Sequence, residues 1–184
     1  MKKNNLPVFP LGLVALPGTI QNLQIFEPRY ISMVKDCMKN NHGFVIVFQK
    51  SGEGNDFEIS KKGSYVEIID FNNLPNGLLG ISVKSINKVA ISDLVQLQDG
   101  LHVAEVNPLI DPEVDDQALL AEFPEISNIL NQLVKHPRVA DMPIEVDFNS
   151  ADSVAYHLAG LIPIPWSHKP VSYTHLTLPT TEYV

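Results

Sequence analysis

The sequence predicts an α+β protein in which a curled, barrel-like sheet with one helix is followed by a helical subdomain. Three observations support this fold class. Short apolar runs separated by turn residues fill the chain up to about Pro108, as expected for a small sheet of many bent strands. Within that part, one segment beginning at Pro28 has the spacing of an amphipathic helix. Beyond Pro108 the apolar spacing becomes helical.

The composition is that of a globular domain, with 184 residues, 45% hydrophobic and 18% charged. The length predicts one compact domain or two small subdomains that share an interface. A formal net charge of −8 argues against a nucleic-acid or anionic-membrane partner, because affinity for phosphate comes mainly from Lys and Arg. Pro7, Pro10 and Pro17 interrupt the apolar segment that could otherwise mimic a signal peptide. We therefore expect a cytoplasmic protein with no membrane partner.

The N-terminal segment begins with an apolar, proline-containing strand from Leu6 to Leu11 and the turn Leu16-Pro17-Gly18. The helix begins at Pro28, since a residue in the first turn loses nothing by lacking an N–H group. Glu27 places a carboxylate near the positive end of the helix dipole. Cys37 lies on the apolar helix face and is interpreted as a small core residue rather than a reactive thiol. That face consists of Tyr30, Met33, Val34, Cys37 and Met38.

The next segment predicts strands joined by turns. Phe44 to Phe48 is an apolar run suited to a buried strand, and residues 51–56 form a polar, Gly-rich loop. Tyr65 to Phe71 is rich in strand-forming residues. The turn Leu74-Pro75-Asn76-Gly77 then predicts a hairpin of the Asn-Gly type.

Leu79, Ile81 and Val83 begin a half-buried strand in which apolar and polar residues alternate. The alternation then slips by one residue, which predicts a bulge or sharp bend near Lys84-Ser85. Asp99-Gly100, between two short apolar segments, predicts a second hairpin.

The C-terminal part begins with the acidic linker from Asp111 to Asp116 and continues with helical periodicity as far as His136. Pro124 interrupts this pattern, so it either kinks the helix or begins a second one. A further helix is predicted from Ala151 to Leu161, with Ser150 as its N-cap.

These patterns divide the chain into a β-rich subdomain at residues 1–110 and a helical subdomain at residues 111–170. Residues 171–184 fit neither subdomain. The segment from Val171 to Thr180 lacks a helical period and resembles the translation of a sequencing-library adapter. We expect a non-native tail there, with the natural chain continuing beyond Lys169.

The run Phe26-Glu27-Pro28-Arg29-Tyr30, preceded by its Leu-Pro-Gly turn, resembles the opening of the Lon protease N-terminal domain family, also called the substrate-binding domain. More loosely, the resemblance extends from about Leu6 to about Pro165 and is closest to a stand-alone, bacterial-type member. Ser85 and Lys88-Val89 depart from the family, which commonly shows Gly and an Arg-Phe pair there. This leaves the register in the second half of the barrel open.

The resemblance implies a PUA-like β pseudo-barrel followed by a helical bundle that is truncated at its C-terminus here. It implies a non-catalytic module that binds unfolded polypeptides or a partner polypeptide such as a separate protease. It implies no cofactor, since the ATPase and Ser-Lys peptidase modules of full-length Lon are not part of this sequence.

The sequence itself predicts no catalytic, cofactor-binding or metal-binding residues. No phosphate-binding G-x-x-x-x-G-K-[ST] loop occurs, and the six histidines lack the spacing of a zinc site. Ser153 and His157 are four residues apart on one helix. Because no orienting third group is evident, we interpret them as an ordinary contact rather than a nucleophile and base.

The motif residues Phe26, Glu27, Pro28, Arg29 and Tyr30 are interpreted mainly as structural. Glu27 starts the helix, Arg29 braces the neighbouring loop, and Phe26 and Tyr30 lie in the core. The alternative is that Glu27 and Arg29 form a recognition pair for polypeptide.

A protein that captures unfolded segments needs exposed apolar area or an open sheet edge. The groove between the two halves is one candidate polypeptide-binding surface. The other is the loop from Leu74 to Leu79, with Leu74, Pro75, Leu78 and Leu79. Two other functions remain open at this point: RNA binding, as in other PUA-like barrels, and an orphan hydrolase activity.

Overall fold

The computed structural model describes residues 5–51, 57–140 and 142–162, and it confirms the α+β fold class. The predicted tail at 171–184, the predicted helix stops at Pro163 and Pro165, and most of the predicted loop at 51–56 lie outside these residues. The described elements, in chain order, are β1 (Asn5–Leu11), β2 (Ile20–Ile25), α1 (Pro28–Asn40), β3 (Phe44–Ser51), β4 (Phe57–Asn73), β5 (Leu79–Gln96), β6 (His102–Pro108), α2 (Asp116–Glu122), α3 (Pro124–Val134), α4 (Pro137–Ala140) and α5 (Ala151–Leu161).

Five of the six described strands close into a barrel. Strand β1 pairs in parallel with β3 and antiparallel with β6, while β4 joins β3 to β5. The pairing of the second half of β5 with β6 closes the ring. Strand β2 lies outside the ring and pairs with the first half of β5, from Leu79 to Lys84. Strand β5 is long because its first half pairs with β2 outside the ring and its second half pairs with β6 in the barrel.

The apolar run in β3 is continuous because both faces of this strand are buried. Val45 and Val47 point into the barrel, where they pack with residues of β1, β5 and β6. Phe44 and Ile46 alternate with them and pack beneath α1. Helix α1 covers the outer face with Tyr30, Met33, Val34 and Cys37. Met38, predicted on the same face, is 42% exposed because it lies at the border of the apolar stripe.

The predicted bend in β5 is present, one or two residues later than expected. Tyr65 pairs with Asn87 and Val66 pairs with Ser85, so Ile86 is the extra residue of a bulge. Beyond it, the strand leaves β2 and turns toward β6.

Two strand assignments differ from the sequence analysis. Strand β2 was not predicted, because its segment carries only three apolar residues, interleaved with Gln and Asn. Strand β4 begins at Phe57 rather than Tyr65. Its first half was not predicted because Lys61 and Lys62 are residues that strands disfavour.

In the helical half, Pro124 begins a separate helix rather than a kink. Helix α5 has the predicted bounds, and the Ser150 hydroxyl accepts a hydrogen bond from the Ser153 N–H as its N-cap. Tyr156 packs with Val14 and Leu16 of the loop between β1 and β2, which attaches α5 to the barrel. None of the helices described here has the length and apolarity needed to cross a bilayer.

Candidate functional site

The motif at the start of α1 holds three parts of the β-rich half together. Glu27 is the N-cap and Pro28 the first helical residue. Arg29 donates a hydrogen bond from Nη1 to the Gly100 carbonyl at 2.8 Å and pairs through Nη2 with Glu27 at 2.7 Å. Gly100 lies in the β5–β6 turn with a φ of +85°. The prediction that Arg29 braces a neighbouring loop is therefore confirmed.

Tyr30 is a core residue, as predicted. Its ring lies 4.1 Å from the Phe9 ring, centroid to centroid, and the Arg29 guanidinium lies 4.7 Å from the centroid of the Tyr30 ring. Burial raises the pKa of the Tyr30 hydroxyl, while Arg29 opposes this shift and Glu27 adds to it. A buried aromatic stack with a cation on one face favours a structural role.

Phe26 is 66% exposed, so its predicted place in the core is wrong. Leu23 and Ile25 of β2 point inward, and Phe26 follows Ile25 directly. Because successive side chains of an extended chain point to opposite faces, this parity directs Phe26 outward. Recognising β2 in the sequence would have given the correct side.

The predicted surface at the β4–β5 turn is less exposed than expected. The Leu74 N–H donates to the Leu78 carbonyl at 2.9 Å, and the Leu74 side chain lies over Gly80. Leu78 is half-buried, and Leu79 packs against the cluster beneath α1. Only Pro75 is exposed among the four predicted residues, and their role in binding stays a prediction.

Larger exposed apolar side chains lie nearby on β4. Ile69 is 51% exposed and Phe71 is 56% exposed. Phe71 pairs with Ile81, which pairs with Leu23 on the other side, so these residues form one row across three strands. The row is buried at Leu23 and Ile81 and opens to solvent at Phe71.

The groove between the two halves contains a cavity of about 290 Å³ with an ionic cluster on its wall. Lys88 of β5 is only 5% exposed, and its ammonium lies 2.5 Å from Asp111 Oδ1 and 5.7 Å from the Tyr156 ring. The Tyr156 hydroxyl donates to Asp111 Oδ2 at 3.3 Å. Outside this cluster, Lys84 and Glu145 form a second ion pair between the halves at 3.1 Å. These contacts stabilise the packing of the helical half against the β-rich half.

Asp152 brings a second carboxylate to the same cavity. Burial raises the pKa of Asp152, Asp111 raises it further, Lys88 opposes the shift and Asp116 adds to it. Burial also raises the pKa of the Tyr156 hydroxyl, with Asp111 and Asp152 contributing. One ammonium thus faces more than one carboxylate, which leaves the cluster with excess negative charge.

We expect Asp152→Asn to stabilise the protein at neutral pH. A pKa raised by folding means that the stabilising contribution of Asp152 is present below its unfolded pKa of 3.8 and lost as the pH rises through its folded pKa. The asparagine amide does not ionise, so the substitution removes that loss. Allowing for solvent screening, we expect the free energy of unfolding at neutral pH to rise by about 0.5 kcal/mol. Urea unfolding at pH 7 and pH 3 measures it, with Asp70→Asn on exposed β4 as the control. An equal gain at both pH values would contradict this electrostatic origin.

The Ser153–His157 pair has the predicted character of an ordinary contact. His157 Nδ1 lies 2.8 Å from the Ser153 carbonyl oxygen and 3.4 Å from the Ser153 hydroxyl. A ring nitrogen that donates to a carbonyl carries its proton and cannot accept one from the hydroxyl. The Ser153 hydroxyl instead accepts a hydrogen bond from the Asp147 N–H at 3.0 Å.

Cys37 behaves as the predicted core residue. The residue is 1% exposed, and its thiol donates to the Gly43 carbonyl at 3.6 Å. Burial raises the pKa of Cys37 to about 11, with Asp36 adding to the shift, so little reactive thiolate forms at neutral pH. Among residues 5–51, 57–140 and 142–162, no group of three His, Cys, Asp or Glu side chains is arranged to hold a metal ion.

The groove was predicted from the sequence, but the charged residues that line it were not. One signal was available, because Asp152 and Tyr156 are four residues apart and therefore share a face of α5. No local pattern indicated that Lys88, some sixty positions earlier, would lie against that face. Its burial in a long strand follows from the bulge at Ile86, which sets the orientation of the β5 residues that follow it as far as the next irregularity after Ser92.

A sequence model of the ATP-dependent protease La (LON) substrate-binding domain matches residues 5–169. The chain is similar to Lon protease 1 of Bacillus subtilis (strain 168), with 24% identity over 166 residues that cover 85% of this chain and 21% of that protein. It is also similar to protein cereblon of Danio rerio, with 24% identity over 123 residues that cover 65% of this chain and 28% of that protein. The chain thus spans less than a third of either relative.

Two solved structures share the fold. The Lon N-terminal domain protein from Xanthomonas campestris matches with a TM-score of 0.69 and 25% identity, covering 91% of this chain and 88% of that chain. The N-terminal domain of Mycobacterium avium complex Lon protease matches with a TM-score of 0.60 and 14% identity, covering 83% and 80%. Both extend over the barrel and the helical half described above.

Proposed function

Since the chain belongs to the ATP-dependent protease La (LON) substrate-binding domain family, we propose that it binds polypeptide and performs no bond chemistry itself. The match to that domain over residues 5–169 carries the proposal, because the matched part is the substrate-binding domain and not the catalytic part. The partner is an unfolded segment of another protein, or a separate protease to which such segments are delivered.

The exposed apolar side chains of the β-rich half support this function. Phe26, Ile69 and Phe71 each have at least half of their surface in solvent. Burying an exposed aromatic side chain gains roughly 1.5–3 kcal/mol, so a few such contacts supply much of the affinity of a transient complex. We assign the first contact to Phe26, which is the most exposed of the three and belongs to the family motif.

Phe26→Ser is expected to weaken polypeptide binding about tenfold, which corresponds to a loss of about 1.4 kcal/mol. The probe is fluorescein-labelled, reduced and carboxymethylated α-lactalbumin, which cannot fold, titrated at physiological salt and followed by fluorescence anisotropy. The matched control is Phe148→Ser, which removes a 39% exposed aromatic side chain from the helical half. Its affinity is expected to stay within twofold of the unsubstituted protein.

The unsubstituted protein must bind this probe more tightly than it binds native, folded α-lactalbumin. Equal affinity for the folded and unfolded probes would remove the proposed function. Unchanged affinity of Phe26→Ser, with binding otherwise intact, would remove only the assignment of Phe26.

A further inference from the structure

The part of the sheet outside the barrel is a three-stranded antiparallel ribbon with two edges. It consists of β2, the first half of β5, and β4 from Glu67 to Asn73. In the described part of the chain, β2 pairs with β5 alone, and β4 has no β3 partner beyond Val66. The barrel has no edge of its own because β5 and β6 close it. An additional strand therefore has two places to pair, β2 and the end of β4.

The β4 edge carries features that discourage an added strand. Ile68 pairs with Val83 and Asp70 pairs with Ser82, so Ile69 is the extra residue of a bulge. Glu67 and Asp70 place charges on either side of this bulge. Bulges and charges are the usual means by which sheet edges avoid pairing with other chains, because they break the register and resist desolvation.

The β2 edge has none of these features. Its six residues pair with β5 in uninterrupted register from Ile20 to Ile25, without a bulge. The sequence Ile-Gln-Asn-Leu-Gln-Ile contains no charge and no proline. Such an edge presents a regular row of N–H and C=O groups, and another extended backbone is the chemical partner that satisfies such a row.

We propose that β2 is a docking edge on which an extended polypeptide segment of about six residues adds as a further strand. The inference rests on the proposed polypeptide binding and states its mode. The segment has apolar residues at alternate positions, because one face of the added strand continues the face formed by Leu23 and Ile25. It contains no proline, and the net charge of −8 disfavours acidic segments. Phe26, directly after β2, gives the added strand an apolar contact at one end.

Hydrogen exchange measured by mass spectrometry locates the added strand. The probe is a peptide of alternating valine and threonine flanked by lysines, and its control is the same peptide with prolines in place of the central valines. With the first peptide we expect amide exchange in residues 20–25 to slow at least fivefold, while exchange in residues 67–73 stays unchanged. The proline peptide is expected to leave both segments unchanged, since it cannot pair along the edge.

A pair of variants with equal charge change tests the edge itself. Gln24→Lys places a charge on β2, and Asn73→Lys places the same charge on the β4 edge, both at exposed positions. We expect Gln24→Lys to weaken binding of the valine–threonine peptide at least fivefold and Asn73→Lys to change it less than twofold.

Three results would overturn the docking edge. Binding with protection confined to other segments removes the inference but leaves the proposed function in place. Equal weakening by both variants shows an effect of net charge instead of strand pairing. Protection of residues 20–25 without peptide, in a dimer that forms with rising protein concentration, assigns the edge to a second copy of this chain.

Discussion

Gly43→Ala is expected to destabilise the fold by about 3 kcal/mol, the upper end for an added methyl group in a packed interior. Gly43 lies where the chain leaves α1 and enters β3. A Cβ atom there would collide with the Val66 carbonyl oxygen and come within 2.9 Å of Tyr65 Cζ. The Val66 oxygen belongs to the backbone of β4, so a side-chain rotation cannot relieve the collision.

Gly12→Ala is the matched control, because a Cβ atom at Gly12 would have no neighbour within 4 Å. We expect that variant to stay within about 0.5 kcal/mol of the unsubstituted protein. Urea unfolding followed by circular dichroism gives both free energies. If the two alanine variants unfold at the same urea concentration, the close approach of β3 to β4 at Gly43 is refuted.

Asp111→Asn is expected to cost about 2–3 kcal/mol, because it leaves the buried Lys88 ammonium without its nearest counter-charge. This is below the roughly 3–5 kcal/mol for breaking a fully buried ion pair, because the Asp111 side chain is 38% exposed. Asp152 lies at the same cavity and still offers a carboxylate to Lys88. The Tyr156 hydroxyl also loses its charged acceptor in this variant.

The double variant with Asp152→Asn gives a sharper test. Alone, Asp152→Asn is expected to stabilise, since it removes a carboxylate whose charged form is disfavoured by burial and by repulsion from Asp111. In the Asp111→Asn background it is expected to destabilise, since Asp152 is then the remaining counter-charge for Lys88. A double-mutant cycle measured by urea unfolding at pH 7 reports this reversal of sign. Additive effects would show that the two carboxylates do not share the same ammonium.

The elements with strong local signals could be predicted from the sequence. The helix from Pro28, the N-cap at Ser150 and the Asn-Gly turn each depend on a few neighbouring residues, and all three occur where expected. Arg29 also contacts a neighbouring loop as expected, through the Gly100 carbonyl, although the sequence did not indicate which loop it would reach.

What could not be predicted depends on contacts between distant segments. Strand β2 has only three apolar residues, and it is a strand because β5 extends past the barrel to pair with it. Phe26 was misplaced for the same reason, since its direction follows from β2. Predicting the charged residues of the groove would have required the bulge at Ile86, the burial of Lys88 and the position of α5 to be known together. Composition and periodicity report on single segments and carry no such information.

The two proposed contact sites are the edge of β2 and the side chain of Phe26. They are adjacent because Phe26 directly follows β2. The motif that begins α1 thus follows directly on the strand proposed as the docking edge. Arg29 and Tyr30 hold α1 against the barrel, which fixes the direction in which β2 ends. Substitutions at Arg29 are therefore expected to affect binding through the position of Phe26.

The pairing of β1 with β6 also bears on how the protein is made. Asn5 is the register partner of Glu105, so β1 can complete its hydrogen bonds only after β6 has left the ribosome. High contact order of this kind slows folding, because the entropy of closing a long loop is lost before the contacts form. During synthesis the apolar strand β1 remains unpaired on that side while the next hundred residues emerge, and an incomplete nascent chain would itself be a ligand for chaperones.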